Sequence, residues 1–483
     1  MAAAAAFPEP GRRRHAAGSA IENSLSHNAR RVYRPRRAVR WIHHDAGRRP
    51  GALNPVRSRP RADARGLVAW LSASWEETTV FDHRKLGREL NLFDTDPLIG
   101  AGLPYWLPDG AIVRQSLEEY IRTVERRAGY RHVYSPVLGK RELYEISGHW
   151  AHYDDDMYPP MVVGGEQVVL RPSLCPHHAV MYRSRARSYR ELPLRMAELG
   201  AMYRSELSGA LGGLNRARCI HLNDAHIFCT LDQVADEAAA ALALIESAYR
   251  AMGIEAARYR LSLPGPGGKY VAAPDMWQRA SRVLTEVLDR SGLAYEEGAG
   301  EAAFYGPKID IQVSDHAGRE STLSTVQVDF HQPERFDLRY IGADGAKHRP
   351  VMVHRSIIGS VERAVAHLIE RHGGAFPAWL APLQVAVLPV SAAEHLAAVD
   401  LRERCLAAGL RAQVLDASAS LGARVRETRS VPYQFILGPA ETAHGEVAIR
   451  LRDGRRLPAR NAPEAVARVR ALVESHSIRL WDD

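Results

Sequence analysis

Leu170-Arg-Pro-Ser-Leu-Cys-Pro-His-His178 and, further along, Asp224-Ala-His-Ile-Phe-Cys229 bracket the stretch that the rest of the chain serves. Residues 170–230 hold three of the four cysteines, Cys175, Cys219 and Cys229. Between the two runs lie Arg204 and Glu206, a Gly-rich connection, and then Arg216 and Arg218. A thiolate or imidazole can bind a metal, guanidinium groups bind phosphates, and glycine permits close backbone approach. The combination points to a nucleotide site beside a metal site.

Outward from that stretch, 483 residues are enough for two or three domains with ample surface to bury. The chain is 46% apolar and 25% charged, which is ordinary for a globular protein. No apolar run approaches the ~20 residues that span a bilayer, so a membrane protein is not expected. Four cysteines without a Cys-x-x-Cys pair offer no disulfide framework and fit a reducing cytoplasm. The net charge of +8 is unevenly spread: residues 1–65 carry +11 and the remainder −3. Nucleic-acid contacts by the folded part must therefore use local patches.

Residues 1–75 are rich in Ala, Arg, Pro and Gly and lack any sustained periodicity, a composition expected to be disordered. A basic arm touching RNA, an organellar presequence and a passive extension all remain open for it. Residues 76–380 alternate helical and strand patterns. The amphipathic run Ser116-Leu-Glu-Glu-Tyr-Ile-Arg-Thr-Val-Glu-Arg-Arg-Ala-Gly129 predicts a helix, preceded by turn, short strand and turn, and followed by a strand over Arg131–Leu138. Two strands, Leu192–Glu206 and Ala217–Cys229, are expected on either side of the Gly-rich loop. Helices are expected over Leu231–Met252 and Met276–Ser291, and a strand running into a helix from Val351. Residues 381–483 read as βαβαββα, a mixed sheet covered by helices. There is no internal repeat, no Gly-x-x-x-x-Gly-Lys-Ser/Thr loop and no His-Glu-x-x-His, which disfavours a Rossmann or P-loop enzyme.

From about Asp82 to the C-terminus the chain resembles the class II aminoacyl-tRNA synthetases, and within them threonyl-tRNA synthetases. The runs that carry the resemblance are SGHWAHYDDDMY, RSYRELPLRMAELG, DAHIFC, AFYGPKIDI, TVQVDF and HRSIIGSVERAV. The resemblance implies an α+β fold: a catalytic domain built on an antiparallel sheet, followed by an α/β anticodon-binding domain. It also implies a cytoplasmic homodimer, with the segment around Pro136 at the interface, acting on L-threonine, ATP and tRNA(Thr). By position, the family's zinc ligands fall on Cys175, His226 and His354. Apart from the resemblance, Cys175 reads more readily as a buried core residue, and His226 equally as core or ligand. Three N/S ligands leave a position open, which in this family the amino and hydroxyl groups of threonine fill. Asp224 matches the carboxylate that accepts from the threonine hydroxyl. Arg204 matches the arginine on the α-phosphate and reacting carboxylate, and Glu206 the residue facing adenine. Arg216 and Arg363 match arginines of the ATP tail and adenine side, Gln327 is a further ATP-side residue, and Tyr305 and Lys308 match substrate-pocket residues. Mg²⁺ would bridge the phosphates. His177, His178, His221 and Asp155 are read as non-ligands.

The chain departs from the family pattern in four places. Ile220 stands where an aromatic residue stacks on adenine, and stacking of that kind is worth roughly 1–3 kcal/mol. Leu222 and Asn223 replace a glutamine and an aspartate beside the threonine site. Ser321-Thr322-Leu323-Ser324 replaces a run containing an ATP-facing glutamine. Leu415–Ser420 lacks the charged groups of the anticodon domain, although Arg450 and Arg452 remain. The eighty residues upstream are too few for an editing domain, so a ligase without its own editing is expected. The leading expectation is threonine–tRNA ligation. A threonine-activating paralogue with another acceptor and a non-catalytic RNA-binding or regulatory protein are the alternatives.

Overall fold

The computed structural model describes residues 81–153, 156–267, 269–315 and 317–481. The reading of residues 1–75, and Asp155, lie outside the described residues. The chain divides into two units, Met1–Trp75 and Glu76–Asp483, and the described residues all belong to the second.

An eight-stranded sheet organises the larger part of that unit. In chain order the strands are β1 (Arg131–His132), β2 (Leu194–Tyr203), β3 (Cys219–Cys229), β4 (Arg258–Leu263), β5 (Tyr295–Ala299), β6 (Lys308–Ser314), β7 (Glu320–Asp329) and β8 (Val351–Ser356). Across the sheet they run β5-β4-β6-β7-β8-β3-β2-β1. The six central strands pair antiparallel, while β5 on β4 and β1 on β2 are parallel edges. The antiparallel expectation thus holds for the centre, with a parallel pair added at each edge.

One face of this sheet is covered by α1 (Pro108–Arg127), α3 (Val234–Met252), α4 (Pro274–Ser291) and α5 (Val361–His372), which share its main apolar cluster. In α3, Val234, Ala238, Ala241, Leu242, Ile245 and Met252 are buried, the three- and four-residue spacing of an inward stripe. The opposite face is left for the site, with α2 (Cys175–Arg183) packed over one end of it. The helix expected from Ser116 starts earlier, because Pro108 sits in its first turn, where a missing N–H costs nothing. The strand expected over Arg131–Leu138 is reduced to Arg131–His132 and resumes at Leu138–Lys140 in a separate three-stranded sheet, with Pro136 in the gap.

A second, five-stranded sheet forms the C-terminal part, with its own apolar cluster. Its strands are β9 (Val385–Pro389), β10 (Ala412–Val414), β11 (Tyr433–Leu437), β12 (Glu446–Leu451) and β13 (Arg456–Asn461), ordered β10-β9-β11-β12-β13. The last strand was not anticipated: it is exposed and contains Pro458, a residue that only an edge strand tolerates. Tyr120, Trp379 and His476 pack against one another in tilted and edge-to-face pairs at 4.6–4.9 Å between centroids and join the two parts.

Candidate active site

The alternation of β3 puts Ile220, Leu222, Asp224 and His226 on one face, about 6.8 Å apart in turn. His226 is in register with His354 of β8, which is in register with Gln327 of β7, which pairs with Lys308 of β6. One row across the sheet therefore carries four candidate residues. The fifth, Cys175, descends on it from the first position of α2.

Cys175, His226 and His354 are all buried, and their ligand atoms lie within 4.8 Å of one another. That span suits one ion at bond lengths of about 2.0–2.3 Å. The surrounding hydrogen bonds fix which nitrogens are offered. His178 Nε2 donates to Glu198 Oε2 at 3.1 Å, so its Nδ1 accepts from His226 Nδ1 at 2.7 Å. This leaves the His226 Nε2 lone pair buried and without a hydrogen-bond partner. His354 Nε2 donates to Asp329 Oδ2 at 2.9 Å and turns Nδ1 inward. Such carboxylate-backed imidazoles are the usual supports of a metal ligand. Cys175 Sγ lies 3.0 Å from Ser173 Oγ and 3.7 Å from both Gln332 Nε2 and His149 Nε2. Burial, with Asp224 and Asp329 nearby, pushes its thiol well above the ordinary value, so a thiolate here requires a cation. The donor set fits zinc.

Asp224 is buried beside this group, 3.6 Å from His226 Nε2, and burial pushes its carboxyl up to about 6. Tyr305 stacks on His354 at 5.0 Å and donates to Gln327 Oε1 at 2.8 Å. Lys308 Nζ is held by Asp310 Oδ2 at 2.5 Å, with Ser262 and Arg260 on the same oxygen.

A cavity of about 430 Å³ runs from this end, past Asp224, Tyr305, Lys308 and Gln327, to Ile220, Arg204 and Arg363. Arg363 occupies the first turn of α5, whose cap is the Ser360 hydroxyl accepting the Arg363 N–H at 3.1 Å. Its guanidinium donates to the Thr322 and Asn215 carbonyls at 3.1 and 3.4 Å. Burial, and then the charges of Arg204 and Arg216, lower its pKa. Mutually repelling guanidinium groups around a void are arranged for an anion. Glu206 and Arg216 do not line the cavity; they pair with each other at 2.7 Å beside it.

The departures from the family pattern fall into two kinds. Ile220, Leu222, Thr322 and Leu323 line the cavity, so three aliphatic side chains stand where polar or aromatic groups were expected, and the Thr322 hydroxyl is engaged with Gln312. Asn223 points the other way, into a buried network behind the sheet. Its Nδ2 donates to Glu125 Oε1 at 2.8 Å and its Oδ1 accepts the Ile357 N–H at 3.0 Å. His149, His178, Asp329 and Asp310 were not singled out as site residues. No local spacing marks them, because they bond to partners distant in the chain, such as His226 for His178 and Ser262 for Asp310, each 48 residues away.

In the C-terminal part, Arg452 is bonded to the Phe376 carbonyl and is half-buried rather than presented outward. Arg424 is buried and donates to the carbonyls of Pro389, Leu415 and Ala419, fixing one end of the 415–420 segment.

Comparison with known proteins agrees with this arrangement. The profile of the tRNA synthetase class II core domain (G, H, P, S and T) matches residues 163–372, and that of an anticodon binding domain matches residues 384–472. Threonine–tRNA ligase of Geobacillus sp. (strain WCH70) is 50% identical over 380 residues, 78% of this chain and 59% of that protein. Threonine–tRNA ligase 1 of Bacillus subtilis (strain 168) gives the same identity and coverage. The chain thus spans 59% of the length of these curated relatives. Among solved structures, the RNA binding domain of threonyl-tRNA synthetase from Cryptosporidium parvum Iowa II superposes with a TM-score of 0.77 at 32% identity, covering 83% of this chain and 99% of that one. A putative threonyl-tRNA synthetase from Aeropyrum pernix gives 0.72 at 26% identity, with 82% and 95% covered. The metal-competent triad, the guanidinium-lined cavity and these likenesses together place the chain in the class II aminoacyl-tRNA synthetases, within the threonyl-tRNA synthetase family.

Proposed function

We propose that the chain is a threonine–tRNA ligase, forming threonyl-adenylate from ATP and passing the acyl group to tRNA(Thr). The observation that carries this reading is the polarity of one cavity: three converging metal ligands and Asp224 at one end, three guanidinium groups at or beside the other. Cys175, His226 and His354 would hold zinc, which would supply a Lewis acid able to take both the amino and the hydroxyl group of an amino alcohol, whereas valine offers only its amine. Asp224 accepts the threonine hydroxyl, Tyr305 and Lys308 orient the amino acid between the metal and the nucleotide, and Gln327, bonded to Tyr305, serves the ATP side. Arg204 and Arg363 are the catalytic residues. They neutralise the charge that grows on the α-phosphate oxygens as the carboxylate attacks, and the carboxylate, already an anion, needs no general base. Glu206 and Arg216 hold the adenine and polyphosphate with Ile220 beneath, and Mg²⁺ accompanies the phosphates.

A homodimer is supported by exposed apolar side chains on the three-stranded sheet and its approach. Tyr134 is 80% exposed, Val162 72% and Val163 61%, next to the Pro136 segment. No helix among the described residues is long and apolar enough to cross a membrane, and the four cysteines are unpaired, which supports a cytoplasmic setting.

Threonine-dependent ATP–pyrophosphate exchange, together with charging of transcribed tRNA(Thr), tests the assignment. Exchange and charging are expected together. Exchange without charging would instead make the chain a threonine-activating enzyme with another acceptor. Neither activity in zinc-loaded protein would leave a binding protein.

A further inference from the structure

The hairpin formed by Tyr340–Ile341 and Lys347–His348 divides two surface cavities that meet at Tyr340. One, of about 240 Å³, is bordered by Arg183, Arg185, Arg187, Arg339 and Lys347. The other, of about 420 Å³, is bordered by Arg279, Phe330, His331, His348 and Arg349. Together they gather seven Lys or Arg side chains and two carboxylates, Asp337 and Glu334. Both carboxylates are already engaged, Asp337 by Arg339 at 2.7 Å and Glu334 by Arg349 at 3.4 Å. The surplus is local, since the chain beyond residue 65 is net acidic.

Several of these cations lie on aromatic rings. Arg183 sits 6.0 Å over Phe336, Arg187 5.4 Å over Tyr182 and Arg279 5.5 Å over Phe330. A ring orients a guanidinium without cancelling its charge. Tyr340 and His348 add a stacked pair at 5.6 Å on the hairpin itself. The surface is built rather than loose: the Ile341 N–H donates to the Arg187 carbonyl at 2.8 Å, and Ser188 bridges to Ile341. Arg187 is 7% exposed and pairs with Glu191 at 3.4 Å, so it braces the floor of the smaller cavity and leaves the outer cations to meet a ligand.

We propose that this groove binds the sugar–phosphate backbone of tRNA, as a contact separate from the anticodon-binding module of residues 384–472. Tyr182 and Phe336 are buried and serve to fix the guanidinium groups, which match successive phosphates along an RNA strand, while the half-buried Tyr340 is left to meet a base. The proposal rests on tRNA being the acceptor, as argued above.

The test uses the full chain with Arg185→Glu and Lys347→Glu, singly and together; both residues are exposed and outside the active-site cavity. Arg290→Glu, an exposed reversal at the far end of α4, is the matched control. Binding of transcribed tRNA(Thr) is measured against salt concentration. In the double variant Kd is expected to rise about tenfold and the slope of log K against log salt to fall by about two. Threonine-dependent pyrophosphate exchange and the thermal midpoint should stay unchanged, and Arg290→Glu should leave Kd as it was. Arg279→Glu, in the other half of the groove, should weaken binding as well. Wild-type affinity and salt slope retained in the double variant would overturn the groove proposal alone, as would an equal loss in Arg290→Glu. A wild-type chain that does not bind tRNA would overturn the ligase assignment and the groove with it.

Discussion

Cys175, buried with His226 and His354 at one end of the cavity, and Ile220, on the wall at the other, separate two kinds of contribution. Without its sulfur the triad keeps two imidazoles, too few to hold zinc against solvent. Cys175→Ser is therefore expected to lose bound zinc, read by elemental analysis, and to abolish threonine-dependent exchange; full exchange in metal-free protein would remove zinc from the mechanism. His178 acts through His226. Its replacement by Phe should lower zinc affinity about 10- to 100-fold while leaving the ligands in place, as loss of an imidazole's hydrogen-bonded support does. At the other end, Ile220→Phe supplies a face on which adenine can stack, a contact worth roughly 1–3 kcal/mol. The KM for ATP should fall about fivefold or more, with the KM for threonine unmoved. An unchanged ATP KM would mean that adenine lies elsewhere along the wall.

Two junctions between elements hold the cavity in shape. Arg355 of β8, fully buried, pairs with Glu125 of α1 at 2.7 Å and lies 4.3 Å over the Tyr130 ring. Burial works against the Glu125 charge, but Arg355, with hydrogen bonds from His132 and Asn223, holds its carboxyl below the ordinary value. Glu125→Gln would leave a buried guanidinium unbalanced and should destabilise the fold by about 3–5 kcal/mol, seen in chemical denaturation. Gly359 joins β8 to α5 with φ of 61°, and a Cβ there would stand 2.6 Å from the Leu323 carbonyl oxygen. Gly359→Ala is expected to shift α5, and Arg363 with it, so that kcat for exchange falls more than stability does.

At the level of the whole molecule, zinc held as proposed would reject what lacks a hydroxyl but would have little with which to reject serine, which differs from threonine by one methyl. One methyl group is worth only about 1–3 kcal/mol, so kcat/KM for serine in exchange should lie roughly 10- to 200-fold below threonine. Valine should lie about 10⁴-fold or more below. Discrimination against serine as strong as against valine would require a close contact between the methyl and the cavity wall. The exposed apolar sheet makes a second prediction at this scale. Val162→Asp with Val163→Asp should shift the protein from dimer to monomer in light scattering, and the same mass before and after would place the interface elsewhere.

Much of this was readable before any coordinates. Helices such as α3 and α4 announce themselves by apolar spacing and a glycine at the C-terminal end, and β2 and β3 by apolar runs on either side of a Gly-rich loop. These are local properties of a few turns or one strand, and the residue types alone decide them. The strands β4, β5 and β13 were not legible, because partners far away in the chain recruit them. The same limit applies to the site. Its candidate ligands could be named through the resemblance to a family, yet Cys175, His226 and His354 stand 51 and 128 residues apart, and no periodicity joins them. Only antiparallel pairing of β3 with β8 puts the two imidazoles in register, and only the packing of α2 lowers the sulfur onto them. The direction of Asn223, away from the cavity, and the gathering of arginines around the Tyr340 hairpin were likewise settled by tertiary contacts. Chemistry resides in residue types, which a sequence displays, whereas convergence depends on register and packing, which exist only once the sheet has formed.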